Sequence, residues 1–171
     1  METENQAPRM LDHMPVRVPV DGTFELTVRC NLHCRMCLFR HDDSENRALM
    51  EKELTAAQWI DLARQAAEMG TLNLLITGGE PMLRPRFMDI VRECARRRLC
   101  IGAINTNGSF LTEEILDEFR ALGFNTEFKV SFDGLGHHDW LRGVPHAEET
   151  ALRALRLVKE KGFPARAQTN V

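Results

Sequence analysis

The sequence predicts an α/β fold: a curved, barrel-like sheet of parallel strands that stops after about its fifth strand. Three observations point there. Strand-like and helix-like runs alternate along the 171 residues, the pattern of right-handed βαβ units. The connections are short, with no internal linker, low-complexity tract or repeat. Polar or glycine motifs follow each strand at its C-terminal end, the end on which catalytic groups of (β/α) barrels collect. A doubly wound sheet is the competing architecture. No G-x-G-x-x-G opens a helix, so a nucleotide-binding version of that sheet has no support.

Residues 1–19, punctuated by Pro8, Pro15 and Pro19, read as a loosely held leader, leaving 20–171 as one domain. In the first strand, Phe24, Leu26 and Val28 alternate with Glu25 and Thr27. A loop bearing three cysteines comes next, and then a polar, mobile connector from His41 to Arg47. Thr55 and Gln58 form a capping box for the first helix, whose apolar side is Trp59, Leu62, Ala63, Ala66 and Met69, with Gly70 as its stop. Leu72 to Thr77 is nearly all apolar, as in a strand covered on both faces, and ends in Gly78-Gly79-Glu80-Pro81. Pro85 suits the first turn of a second helix carrying Phe87, Ile90, Val91 and Cys94.

Ile101 to Ile104 forms the third strand, ending in Asn105-Thr106-Asn107-Gly108. Thr112 caps a third helix, with Glu113 and Glu114 at its positive end and Ile115, Leu116, Phe119 and Leu122 as its buried stripe. Phe128, Val130 and Phe132 mark the fourth strand, which runs into Asp133-Gly134. A loop from His137 to Arg142 precedes a fourth helix, from about Glu148 to Lys161, and an extended segment from Ala165 to Val171. Cys94 and Cys100 read as small buried hydrophobes, and Arg96-Arg97-Arg98 as a solvated face at a helix C-terminus. The six histidines fit no acid–base pattern.

Composition narrows the function. Apolar content of 43% and charged content of 27% are those of a globular chain. A net charge of −3 gives no electrostatic case for nucleic acid or an anionic membrane. No apolar run approaches the roughly 20 residues that span a bilayer, and the acidic, polar start is wrong for a secretory peptide. The expectation is a cytoplasmic protein with neither a nucleic-acid nor a membrane partner.

The chemistry centres on Cys30, Cys34 and Cys37, a C-x3-C-x2-C spacing placed straight after a strand. Three thiolates on one short loop can hold three irons of a [4Fe–4S] cluster and leave the fourth open, whereas a cluster that only stores electrons usually takes four cysteines. With His41 added, the same residues read as C-x3-C-x2-C-x3-H, which would close a structural zinc site in a non-enzymatic binding module. A disulfide is the weaker alternative, given an odd count of five cysteines.

With Gly78-Gly79-Glu80-Pro81 after the second strand, Asn105-Thr106-Asn107-Gly108 after the third and Ser131-Phe132-Asp133-Gly134 after the fourth, the chain resembles the radical S-adenosylmethionine enzymes. The Ser131-x-Asp133-Gly134 element and Leu141-Arg142-Gly143 are similar to the branch that modifies peptides and proteins and often carries a SPASM-type domain. The resemblance implies a partial (β/α) TIM-like barrel, a [4Fe–4S] cluster on Cys30, Cys34 and Cys37, and S-adenosylmethionine as cosubstrate. It implies reductive cleavage of that cosubstrate to a 5′-deoxyadenosyl radical, an external one-electron reductant of the flavodoxin or ferredoxin type, and a peptide, protein or small-molecule substrate. A degenerate fragment that keeps the site without turnover is a further alternative.

Cosubstrate-binding residues implied in this way are Met36, Gly78, Gly79, Glu80, Pro81, Asn105, Asn107, Ser131, Asp133, Arg142 and Asn170. Gly78 and Gly79 would let backbone approach the methionine part, with no Cβ between. Glu80 would accept a hydrogen bond or orient its turn, the bland alternative being a solvated side chain. Asn105 and Asn107 would bond ribose or substrate, or stabilise a turn. Ser131 and Asp133, two apart, would share a strand face. Arg142 would pair with the cosubstrate carboxylate, or form a surface ion pair. Met36 stands where the family often has an aromatic residue and would pack against adenine. The family core usually has six strands and this sequence reaches five, so the expectation is an incomplete core of poor stability alone, open to self-association at its uncovered edge.

Overall fold

The structure, a computed structural model, describes residues 19–38 and 43–169. The leader as far as residue 18, His41 and Asn170 lie outside the described residues. In chain order the elements are β1 (Asp21–Glu25), α1 (Asp43–Glu51), α2 (Ala56–Glu68), β2 (Asn73–Thr77), α3 (Phe87–Arg96), β3 (Cys100–Thr106), α4 (Glu113–Ala121), β4 (Glu127–Ser131), α5 (His138–Arg142), α6 (Ala147–Glu160) and β5 (Ala165–Gln168). A short 3-10 turn, Pro81–Leu83, comes after β2.

All five strands pair in parallel, in the order β1-β2-β3-β4-β5. That order decides between the two architectures. A doubly wound sheet reverses its strand order at a switch point, whereas strands added in sequence by right-handed crossovers all send their helices to one face. The sheet is therefore wound in one sense, as in a partial (β/α) barrel. Among the described residues no helix is long and apolar enough to cross a membrane.

The core lies between the sheet and its helices. Leu74, Ile76, Ile101, Ile104, Phe128 and Val130 join Ala63, Ile90, Val91, Phe119, Ala154 and Val158 in one buried cluster. Full burial of each larger aliphatic or aromatic side chain stabilises by about 1.5–3 kcal/mol. Phe119 is the hub, with ring centroids 5.5 Å from Phe128, 5.6 Å from Phe124 and 6.5 Å from Phe87. The alternate residues Thr77, Asn105, Lys129 and Ser131 are only half-buried and line the opposite face. β5 is an edge strand with all four residues exposed.

Several local expectations change. β1 starts and ends earlier than the alternation suggests, and beyond it backbone bonds outside the regular strand ladder hold the cysteine loop against the chain after β2. The connector expected over 41–47 is helical from Asp43 onward. Pro85 stays outside the second predicted helix: Arg86, left-handed at φ 63°, precedes a start at Phe87. β3 is longer than 101–104, with an irregular register beside Gly102, and Cys100 is its exposed first residue rather than a buried hydrophobe. Cys94 is buried as expected, and desolvation pushes its thiol up to about 12. Arg96 and Arg97 are not merely solvated, since both pair with Glu93, which is 5% exposed. The 137–142 loop contains α5, too short to show periodicity.

Candidate active site

The cysteine loop continues β1 and is fastened to the turn after β2. Leu26 N–H donates to Thr77 O, Gly79 N–H to Thr27 O at 2.8 Å and Glu80 N–H to Arg29 O at 2.7 Å. The parallel pairing of the two strands thus runs on past their ends and joins the cysteine loop to Gly78-Gly79-Glu80-Pro81. Glycine is required there by chain-to-chain approach. A Cβ on Gly78 would lie 2.5 Å from Thr27 O, and one on Gly79 would lie 2.4 Å from Arg29 O.

Glu53, just past α1, holds the stem of the loop. It accepts hydrogen bonds from the Thr27 hydroxyl at 2.6 Å, Val28 N–H at 2.9 Å and Arg29 Nε at 3.1 Å. Arg84 Nη1 pairs with it at 2.8 Å, and both side chains are 7% exposed. Desolvation works to raise the Glu53 pKa, but the hydrogen bonds from Thr27, Val28 and Arg29 outweigh it and the net shift is downward.

The residues after β3 hold the loop from a second side. Glu80 is fully buried and accepts from Met82 N–H, the Thr106 hydroxyl and Asn107 N–H at 3.2, 2.9 and 2.8 Å. It is therefore not a solvated side chain. Desolvation is the dominant influence, and it raises the Glu80 pKa despite those donors. Asn107 Nδ2 reaches Asn31 Oδ1 at 2.9 Å and Cys30 Sγ at 3.8 Å. Pro81 is buried and opens the 3-10 turn. Asn105 Nδ2 contacts Thr77 Oγ1 at 3.5 Å, while its buried Oδ1 has no partner.

The end of α5 closes a third side. His33 N–H donates to Arg142 O and Arg35 N–H to Leu141 O. The Arg35 guanidinium stacks 4.7 Å above the Trp140 ring. A Cβ on Gly143, which is left-handed at φ 72°, would lie 2.4 Å from His33 O. The Arg142 side chain is buried, so it is not a surface ion pair. It holds Asp133 Oδ2 through Nε at 2.8 Å and approaches Cys34 Sγ at 3.7 Å. Asp133 lies past the end of β4 rather than on its face with Ser131. Its backbone N–H donates to His138 Nδ1 at 3.1 Å. His138 is buried against Phe132, and desolvation, then the Arg142 charge, lower its pKa.

Of the other predicted residues, Ser131 ends β4 half-buried and Met36 is half-buried within the loop. Sequence reasoning passed over Glu53, Arg84, Asn31, Ser109 and His138. The clue for Asn31 was its place next to a ligand-type cysteine; for Glu53 and Arg84 the sequence offered none.

A cluster on this loop has a suitable donor set. Cys30, Cys34 and Cys37 are all free thiols. The Cys30 pKa is raised, first by desolvation and further, against a partly offsetting bond from Leu32 N–H, by Glu80, Cys34 and Cys37. A cationic centre would relieve that crowding of negative charge. Among the described residues no three His, Cys, Asp or Glu side chains converge on a single ion. Three free thiols on one short loop suit a multi-iron group, in which each binds its own iron. The unpartnered Asn105 Oδ1 offers a buried acceptor to a cosubstrate donor.

Comparison with known proteins agrees with this arrangement. The chain is 33% identical over 150 residues to an AdoMet-dependent heme synthase of Methanosarcina barkeri, covering 86% of this chain and 41% of that protein. It is 29% identical over 154 residues to a PqqA peptide cyclase of Granulibacter bethesdensis, covering 87% and 39%. It thus spans about two fifths of the length of these curated relatives. Streptococcus suis SuiB bound to S-adenosylmethionine superposes with a TM-score of 0.70 at 19% identity, covering 89% of this chain and 32% of SuiB. The same protein bound to its precursor peptide SuiA gives 0.71. Residues 24–171 match the family profile of the Radical SAM superfamily, and the chain belongs to that superfamily.

Proposed function

We propose that this chain is the core of a radical enzyme in which Cys30, Cys34 and Cys37 hold a [4Fe–4S] cluster, with one iron left open for S-adenosylmethionine. The observation that carries the reading is the backbone joining of the cysteine loop to Gly78-Gly79-Glu80-Pro81. That joining sets the three thiols beside a close-packed glycine turn at the C-terminal end of the sheet, whereas a zinc knuckle would need only its own loop. When bound, the cluster supplies one electron to S-adenosylmethionine, giving methionine and a 5′-deoxyadenosyl radical for hydrogen abstraction from substrate.

The chain's own residues position and shield. The backbone of Gly78, Gly79, Glu80 and Pro81, fixed by the Glu80 carboxylate, would face the methionine part. Asn105 Oδ1 would accept from the cosubstrate, with Ser131, Met36 and Asn170 at its edges. Asn107, Asp133 and Arg142 already use their side chains within the protein, so they act on the site by shaping it. The substrate class we favour is a peptide or protein, because a peptide cyclase and a protein solved with its precursor peptide are among the relatives. An external one-electron reductant would serve as partner. Self-association at the exposed β5 edge would appear as concentration-dependent sedimentation.

Anaerobic reconstitution with iron and sulfide tests the proposal. The expected result is a brown protein with acid-labile sulfide that, with dithionite, converts S-adenosylmethionine to 5′-deoxyadenosine. Cys30→Ser, Cys34→Ser or Cys37→Ser should abolish iron uptake, while Cys94→Ser or Cys100→Ser should not. Zinc without sulfide in the purified protein, together with no uptake of iron, would overturn it.

A further inference from the structure

Two of the three cysteine sulfurs receive side-chain N–H groups, one from the loop after β3 and one from α5. Asn107 Nδ2, from the loop after β3, lies 3.8 Å from Cys30 Sγ. Arg142 Nη1, at the end of α5, lies 3.7 Å from Cys34 Sγ. Both residues are buried.

Each donor is fixed by bonds other than the one to sulfur. Asn107 belongs to a closed ring: its Nδ2 donates to Asn31 Oδ1, Asn31 Nδ2 donates to Ser109 Oγ, and Ser109 N–H donates to Asn107 Oδ1, all at 2.9 Å. A backbone N–H can only donate, so the atom facing Ser109 must be the amide oxygen. That leaves the amide nitrogen to face Cys30. Arg142 is held by Asp133 through Nε and by its own carbonyl, which accepts His33 N–H within the cysteine loop. A guanidinium has no acceptor, so its approach to Cys34 is as a donor.

We propose that Asn107 and Arg142 set the reduction potential of the cluster, holding it upward through N–H donors on the Cys30 and Cys34 sulfurs. The proposal rests on the cluster assignment above. Reduction adds negative charge that the sulfur ligands share, and hydrogen bonds to those sulfurs are among the controls on cluster potential. A charge-assisted donor is the stronger of the two kinds, so Arg142 has the larger effect. Asn107 accordingly acts on the metal group, and not on ribose or substrate.

The test is an EPR-monitored redox titration of the anaerobically reconstituted full chain, without S-adenosylmethionine, so that lost cosubstrate binding cannot imitate the effect. Arg142→Met should lower the ratio of reduced to oxidised cluster at a fixed potential by about tenfold, equivalent to about 59 mV for one electron, and Asn107→Leu by about threefold. Arg142→Lys, which keeps a cationic donor, should recover most of the loss. Unchanged midpoints at wild-type iron and sulfide content would overturn the proposal while leaving the cluster assignment intact. A wild-type chain that takes up no iron would sink both. If a variant fails to load, pulsed EPR of the reduced wild-type cluster with 15N-labelled asparagine and arginine decides: nitrogen coupling is expected, and its absence counts against the proposal.

Discussion

Both Nε and Nη2 of Arg142 lie on a single oxygen of Asp133, at 2.8 and 2.7 Å, with the side chains 7% and 3% exposed. Removing one partner of a buried pair leaves the other charge uncompensated, at a cost of about 3–5 kcal/mol. Asp133→Ala and Arg142→Ala are each expected to fall in that range by urea denaturation. The double variant should lose less than the sum, with a coupling of about 1 kcal/mol or more, as for residues in direct contact. Strict additivity would show that the pair is not an energetic unit.

Glu53 gives the site a dependence on acid. Its folded pKa lies below the ordinary glutamate value, so the stability it contributes is present above that value and is lost as pH falls through the folded one. Wild type should exceed Glu53→Gln in stability at neutral pH, and the difference should shrink as pH falls below the ordinary glutamate value, about 4.3. Denaturation curves across that range check it. The variant should also load less iron, since Thr27, Val28 and Arg29 all lose an ionised acceptor.

The architecture was legible because its signals are local and repeated. The capping box at Thr55 and Gln58 is present in full, Thr112 caps its helix, and the parallel sheet results from strand–helix alternation. The motif loops were legible as motifs, but their joining was not. Glu53 lies in a stretch with no pattern, and its role depends on the stem of the cysteine loop, 24 to 26 residues earlier, arriving beside it. His138 could not be singled out from the other histidines, because burial against Phe132 is a property of the folded chain. Glycine at 78 and 79 suits a close approach to a ligand, and the fold adds a requirement the sequence does not show, since a Cβ on either would meet the backbone of the cysteine-loop stem. Sequence spacing shows which residues recur, and only packing shows what they face.

Gly79 and Gly123 separate two reasons for a glycine. A Cβ at Gly79 would strike backbone at Arg29, whereas at Gly123 nothing lies within 4 Å but φ is +83°. Gly123→Ala should cost about 1–2 kcal/mol from the left-handed conformation alone. Gly79→Ala should cost about 1–3 kcal/mol through overpacking and should in addition reduce iron loading, because the cysteine stem must move. Loading equal to wild type in a folded Gly79→Ala protein would argue against the stem as the element that positions the thiols.

Glu80 should show the reverse acid behaviour to Glu53, and the contrast is the sharper test. Its carboxylate is fully buried, and desolvation raises its pKa in spite of three donors. A raised carboxyl pKa means that the folded state keeps its proton where the unfolded chain has already lost it. Stability then falls as pH rises from the ordinary glutamate value, about 4.3, through the folded one, and levels off above it. Glu80→Gln cannot ionise and gives the baseline. It carries a pH-independent cost of about 1–3 kcal/mol for one mismatched donor, since an amide offers a single oxygen to Met82, Thr106 and Asn107. Wild type minus Glu80→Gln, measured by denaturation between pH 4 and 8, should therefore decrease with rising pH, while wild type minus Glu53→Gln increases. A difference that grows with pH at Glu80 would mean that the donors from β3 and the 3-10 turn outweigh burial. The ionised carboxylate would then be the form that holds the Gly78–Pro81 turn against the cysteine loop.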